Sequence, residues 1–254
     1  MCGILAIIGK ADKENVQQLS KRQKHRGPDE WGMYEAPDGS VLSHERLSII
    51  DLNTGTQPIQ GTDSAWIMHN GEIYNHMELR ERELKGHQFR TTCDSEVIVH
   101  LYEEHGYDFC NLLDGVFAFV LIDGDKFMAG RDPIGVKPMY YGTNVSGNMY
   151  FSSEMKAIAD QCSTMEAFPP GHYYTRETGF VKFFNPTWED YKKCNEEFDP
   201  DKLREAYYFR KLFEKYYPEE HSVASVLKWI PKWQKNADPS GRAAEIHFST
   251  TEKY

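Results

Sequence analysis

From Gly3 to Gly9 the chain is apolar between two glycines, with Ile4–Ile8 uninterrupted, which reads as a short buried strand. Asp12 then stands at a cap position ahead of a helix carrying Val16 and Leu19. Arg26-Gly27-Pro28-Asp29 marks a turn. Val41-Leu42, Leu47–Ile50 and Trp66–Met68 are strand-like pieces. The spacing predicts a helix over Met77–Leu84 that stops near Gly86. A second helix is expected from about Asp94 to His105. Val97, Ile98, Leu101 and Tyr102 share one face of it, and Gly106 is placed to end it. Val116–Ile122, Asp123-Gly124 and Lys126–Ala129 form a hairpin signal. Met149–Ser152 and His172–Thr175 add strands, with a short helix near Glu154–Ala159 between them. Val181–Phe184 is set to pair with His172–Thr175 across Thr178-Gly179. Residues 2–185 therefore mix hairpin strands with few helices, an α+β pattern of antiparallel sheets covered by helices.

After Trp188 the texture changes. Asp199-Pro200 opens a helix with Leu203, Tyr207, Leu212, Phe213 and Tyr216 on its apolar side. Pro218, Pro231 and Asp238-Pro239-Ser240-Gly241 then punctuate a loop-rich end. The roughly 55 residues after Pro200 are few for an independent domain without disulfides or metal.

Composition narrows this picture. With 254 residues and 40% hydrophobic positions the chain can bury a core, as one large domain or two small ones. Its 29 basic against 39 acidic residues, net −10, argue against general nucleic-acid binding and leave room only for a local basic pocket. No early apolar run is long enough for a bilayer or a signal peptide, so the expected location is cytoplasmic, with no membrane contact. The five cysteines are odd in number, widely spaced and form no CxxC, as expected of reduced thiols. The ten histidines show no paired ligand spacing, so no metal site is expected. His69 is expected to pack, Arg26 and Asp29 to fix the turn, and the basic run Lys21–Arg26 to be a solvated helix end.

Cys2 alone stands apart. Met1 precedes a small residue, and its removal would give Cys2 a free α-amine. Such an amine has a reference pKa of about 7.7–8.0, so it can take the thiol proton without a separate histidine. Gly3 lets a substrate approach the backbone closely. By itself Cys2 fits a small buried hydrophobe equally well. A thiol nucleophile also needs donors for the oxyanion formed on attack. Asn70-Gly71 can supply them, through the Asn amide and the Gly N–H, although the same dipeptide also makes ordinary turns. An amino-acid substrate would want an arginine for its carboxylate and an acid for its ammonium. Arg46, Glu72 and Asp94 are candidates that spacing alone does not single out, and Asp94 serves equally as a helix cap.

The motifs Met1-Cys2-Gly3-Ile4, His25-Arg26-Gly27-Pro28-Asp29, Arg46-Leu47-Ser48-Ile49-Ile50-Asp51, Gln57-Pro58, Asn70-Gly71-Glu72-Ile73-Tyr74-Asn75 and Cys93-Asp94-Ser95-Glu96-Val97-Ile98 occur in one order. Arg131-Asp132-Pro133-Ile134-Gly135-Val136-Lys137-Pro138 and Ser152-Ser153-Glu154-Met155-Lys156-Ala157 continue it. Over residues 2–190 this resembles the class II glutamine amidotransferases, and specifically the glutaminase domain of glutamine-hydrolysing asparagine synthetases. The resemblance implies a four-layer αββα N-terminal nucleophile hydrolase fold with two facing antiparallel sheets. It implies attack by Cys2 on the glutamine side-chain amide, an oxyanion hole from Asn70 and Gly71, a carboxylate held by Arg46, an α-amine held by Glu72 and Asp94, and a pocket lined by Ile49 and Ile50. It implies L-glutamine as substrate and no cofactor for this step.

A full synthetase of that family also binds ATP and Mg through a loop containing a Gly-Gly pair. This chain has no Gly-Gly pair. Segments Arg204–Lys211 and Pro231–Ala244 instead resemble the extreme C-terminal end of eukaryotic synthetases. Residues 191–254 thus read as a partly helical, loosely ordered remnant joined to the glutaminase domain near Asn195–Asp199, with the ATP-using core missing. The chain is accordingly expected to make no asparagine by itself. It is expected to act as an active glutaminase half, as an idle regulatory partner of a full-length synthetase or a homodimer, or as a non-functional truncated product.

Overall fold

The computed structural model describes residues 1–48, 51 and 54–186. The expectations for Ile49, Ile50 and the whole segment from Trp188 onward lie outside the described residues. Two six-stranded antiparallel sheets form the body. One runs in the order β10 (Thr164–Ala167), β8 (Tyr140–Thr143), β9 (Met149–Ser152), β1 (Gly3–Ile8), β3 (Val41–Arg46), β2 (Glu30–Glu35). The other runs β12 (Gly179–Lys182), β11 (His172–Thr175), β7 (Lys126–Arg131), β6 (Gly115–Asp123), β5 (Ala65–Ile73), β4 (Ile59–Gln60).

The layering follows from side-chain alternation, because successive residues of a strand point to opposite faces. On β1, Ile4, Ala6 and Ile8 join the core between the sheets, where Met68, Ala118, Val120, Ile122, Phe127 and Phe151 meet them. Leu5 and Ile7 face the other way, onto Val16 and Leu19 of α1 (Lys13–Lys21) and Ala157 and Ile158 of α4 (Met155–Ile158). On β6, Ala118, Val120 and Ile122 point inward. Phe117, Phe119 and Leu121 point outward, onto Val97, Ile98 and Leu101 of α3 (Glu96–His105) and Leu79 of α2 (His76–Arg82). Both strands are buried on both faces, which is why each reads as a continuous apolar run rather than an alternating one. The result is four layers, helix–sheet–sheet–helix.

The ends of α1 and α3 form as their sequences dictate. Asp12 accepts from the Glu14 N–H at 3.1 Å and caps α1. Gly106, at φ 63°, closes α3 where a residue with a Cβ would be strained. Asp94 does not cap α3. The cap position falls on Ser95, and the Asp94 carboxylate instead accepts from the Ile73 N–H at 2.8 Å, at the end of β5.

Leu47 and Ser48 are not strand, because the chain leaves β3 at Arg46. The Leu47 backbone turns to the Cys2 thiol instead of a neighbouring strand. Strand β12 begins two residues earlier than the expected Val181, directly after the Thr178 turn. Strands β2, β4, β8 and β10 carry too few buried positions, or are too short, to stand out in the sequence.

Candidate active site

Cys2 sits immediately before β1, between the two strands that flank it. Its carbonyl accepts from Arg26 Nε at 2.9 Å. Arg26 in turn lies 3.2 Å from Glu154, which also holds His25 at 2.9 Å and Lys156 at 2.9 Å. Burial alone would raise the Glu154 pKa, yet these three partners hold it down at about 2. The Ile4 N–H donates to Ser153 Oγ at 3.1 Å, and the Ile4 carbonyl accepts from Gln23 Nε2 at 3.1 Å. Gly3 has no room for a side chain: a Cβ would lie 2.9 Å from the Gln23 Cβ. The entry to β1 is therefore fixed in place by polar side chains from the turn after α1 and the segment after β9.

The Cys2 Sγ accepts from the Leu47 N–H at 3.4 Å and faces the Leu47 carbonyl at 3.7 Å. Burial raises its pKa above the ordinary thiol value. The Leu47 N–H, the positive amino terminus, Arg46 and Lys137 pull it down without cancelling that effect. The thiol is thus neutral near pH 7 and needs a base to become a nucleophile. The other described cysteines, Cys93, Cys110 and Cys162, are free thiols raised further by burial, Cys93 and Cys162 to about 11.

A cavity of about 70 Å³ opens on Cys2, and every described residue that the sequence reading assigned a role lines it: Cys2, Arg46, Asn70, Gly71, Glu72 and Asp94. Asn70, Gly71 and Glu72 are consecutive on β5, opposite Ala118, Phe117 and Val116 of β6. Asn70 is buried, and its Nδ2 has no hydrogen-bond partner among the described residues. An unmet donor of that kind is costly unless something else satisfies it. Gly71 is tightly enclosed: a Cβ there would lie 2.1 Å from the Val116 carbonyl. Glu72 is half-buried, and burial followed by the Asp94 charge raises its pKa. The two carboxylates thereby create a spot that favours a cation.

Arg46, at the end of β3, is buried, with one guanidinium nitrogen 2.8 Å from Glu30 and another donating to the Asp51 carbonyl. Its carbonyl accepts from the Asp29 N–H at 3.1 Å, and Asp29 Oδ2 accepts from the Ser48 N–H at 2.8 Å. Arg26 and Asp29 do fix the turn. A Cβ on Gly27, between them, would meet the Glu45 carbonyl at 2.1 Å.

His69, expected to pack, is a buried part of the same cavity wall, with Nε2 unpartnered among the described residues. Its Nδ1 lies 2.8 Å from Ser95 Oγ, and burial brings its pKa down to about 4. Gln57 holds it from behind, accepting from the His69 N–H at 2.6 Å and donating to Ser95 at 3.2 Å. Gln57, Ser95 and Lys137 also line the cavity, and no role was assigned to them from sequence. Lys137 arrives on the loop after β7, which Asp132 shapes by accepting from the Ile134, Val136 and Lys137 N–H groups. Arg131 clamps the same loop through the Gly135 and Lys137 carbonyls. The signal for Lys137 was present in the Arg131–Pro138 motif, whose contribution is conformational. Away from this cavity, His87 and His100, which show no paired spacing in the sequence, lie together with Glu103.

A half-buried thiol at the head of a central strand thus shares a cavity with an unmet amide donor on the facing sheet, within a four-layer αββα fold. The same fold is present in the glutamine phosphoribosylpyrophosphate amidotransferase of B. subtilis, at TM-score 0.63 and 20% identity over 73% of this chain and 50% of that one. Residues 1–180 match the Glutamine amidotransferase domain family, and the chain belongs to it. Among curated proteins it is 47% identical over 216 residues to asparagine synthetase [glutamine-hydrolyzing] 2 of Arabidopsis thaliana, covering 82% of this chain and 37% of the relative. It is equally 47% identical to the asparagine synthetase [glutamine-hydrolyzing] of Sandersonia aurantiaca, covering 41% of it. The matched region thus spans well under half the length of these relatives.

Proposed function

We propose that this chain hydrolyses the side-chain amide of L-glutamine to glutamate and ammonia, the step that supplies ammonia for making asparagine from aspartate. The buried, unpartnered Nδ2 of Asn70 in the cavity that holds Cys2 carries the reading. With Met1 removed, the Cys2 α-amine takes the thiol proton as Sγ bonds to the amide carbon. The carbonyl oxygen becomes an oxyanion held by Asn70 Nδ2 and the Gly71 N–H. The ammonium formed at Cys2 protonates the departing nitrogen, the C–N bond breaks, and a thioester remains that water hydrolyses to glutamate. Arg46 binds the substrate carboxylate. Glu72 and Asp94 bind its α-ammonium, which relieves the repulsion that raises Glu72. Ile49 and Ile50 complete the pocket in this reading. The chemistry uses only side chains and backbone of this chain, and ATP and Mg belong to the synthetase step, which lies outside the proposal.

The free thiols and the reading of Cys2 fit a reducing cytoplasm. Among the described residues no helix is long and apolar enough to cross a membrane. A full-length synthetase or a second copy of the chain would be the natural recipient of the ammonia. The competing reading is an idle regulatory partner, and the position of Met1 in the cavity wall favours it if Met1 is retained.

Two measurements separate these readings. Intact mass shows whether Met1 is gone. Glutamate release from glutamine, with Cys2→Ala as control, tests the chemistry. The expected result is release by the Met1-free chain and none by Cys2→Ala; a folded, Met1-free chain that releases none overturns the proposal.

A further inference from the structure

A larger opening, of about 700 Å³, shares no lining residue with the Cys2 cavity. Thr62, Asp63, His87, Arg90 and Glu103 are among the residues that line it. There, one ligand-capable atom from each of His87, His100 and Glu103 lies within 4.8 Å of the other two. His100 and Glu103 are a turn apart on α3, with His100 Nδ1 2.8 Å from Glu103 Oε2. His87 comes from the loop after α2, and its Nδ1 is 3.9 Å from the same oxygen.

The far side of each imidazole strengthens the pattern. His87 Nε2 lies 3.4 Å from Glu104 Oε2. His100 Nε2 is buried and lies 3.6 Å from Glu96 Oε1. A carboxylate behind each ligating imidazole is the usual means of fixing its tautomer and aim.

We propose that His87, His100 and Glu103 bind one divalent transition-metal ion, with zinc the best-fitting member of the class. Two imidazoles and a carboxylate suit zinc rather than magnesium or calcium, and the open cavity supplies solvent as a fourth ligand. Ligand atoms about 2.0–2.1 Å from a tetrahedral ion stand about 3.4 Å apart, and the group shows 2.8 and 3.9 Å for two of its separations and no more than 4.8 Å for the third, so side-chain rotation has to close the set on an ion. The ion would tie the His87 loop to α3, and that loop leads directly into Cys93-Asp94. This site is independent of the glutaminase reading.

Calorimetric titration of the chelator-treated full chain with zinc, repeated with cobalt for its absorption spectrum, tests the proposal. The expected result is saturable binding of one equivalent, with a cobalt spectrum free of thiolate charge transfer. His87→Gln and Glu103→Gln, each confirmed folded by a cooperative urea transition, should each weaken binding about tenfold or more. Glutamine at Glu103 keeps an acceptor for the Asp63 N–H that Glu103 now holds at 3.1 Å, and His87 stands on a loop, so both variants should fold. No saturable binding to the wild-type chain, unchanged affinity in both variants, or a thiolate band in the cobalt spectrum overturns the proposal.

Discussion

Asn70 is the residue on which structure and chemistry press hardest together. Its amide is buried with its donor unmet among the described residues, an arrangement that is costly unless a bound group meets it. Asn70→Ala should therefore lower kcat for glutamine hydrolysis by about 10²–10³, the usual loss of one oxyanion donor, with KM changed far less. Steady-state glutaminase kinetics check this, and a variant that moves KM instead would reassign Asn70 to substrate binding. At this scale much was legible in the sequence. Cys2, Asn70, Gly71, Arg46, Glu72 and Asp94 reach one cavity as expected. Gln57, Ser95 and Lys137 were not singled out, because each depends on a tertiary contact: Gln57 bridges His69 and Ser95, and Lys137 rides on a loop shaped by Asp132.

Among the elements, α3 does more than cover a sheet. Its first residue, Glu96, is buried and accepts from the Arg90 N–H, the Thr91 N–H and the Thr91 hydroxyl at 2.6–2.8 Å. Burial would raise its pKa, but these donors and His100 hold it down to about 2. The helix thereby holds the loop that delivers Cys93 and Asp94 to the cavity. Glu96→Ala should cost about 1.5–3 kcal/mol in urea unfolding, the range for hydrogen bonds to a charged group, and should raise KM for glutamine. An unchanged KM would mean that the loop holds Asp94 without Glu96. Sequence periodicity identified α3 and its glycine end correctly but gave Asp94 an alternative duty as its cap. Nothing local distinguishes a carboxylate that caps its own helix from one that bonds the end of a distant strand. The short edge strands were missed for the related reason that pairing, rather than their own pattern, makes them strands.

Across the whole molecule, the tight contact between the sheets leaves two neutral histidines deep inside. Burial lowers His44 to about 3 and His69 to about 4, and His44 Nε2 donates to the His69 carbonyl at 3.1 Å. Their folded pKa values lie below the unfolded value of 6.5, so the stability they confer is complete above pH 6.5 and is lost as pH falls toward 4. His100 has the opposite shift, and its contribution changes only above 6.5. The loss should approach about 1.4 kcal/mol per pH unit for each buried histidine. Urea midpoints at a series of pH values between 6.5 and 4.5 check this, and a flat profile would show that the interior admits the charge. The layered architecture was legible because β1 and β6 carry continuous apolar runs that only a strand buried on both faces explains.

The β5–β6 ladder has a practical consequence for anyone wishing to label or extend this protein. Its chemical end, at Gly71 opposite Phe117, is separated from the Ala65–Asp123 end by about 20 Å of paired strand at roughly 3.3 Å per residue. Just beyond that far end, the β6–β7 hairpin turns through the exposed Gly124 and Asp125. The hairpin is a place to graft a fluorophore, an affinity handle or a second protein, leaving the start of the chain free for the Met1 removal on which the proposed Cys2 chemistry depends.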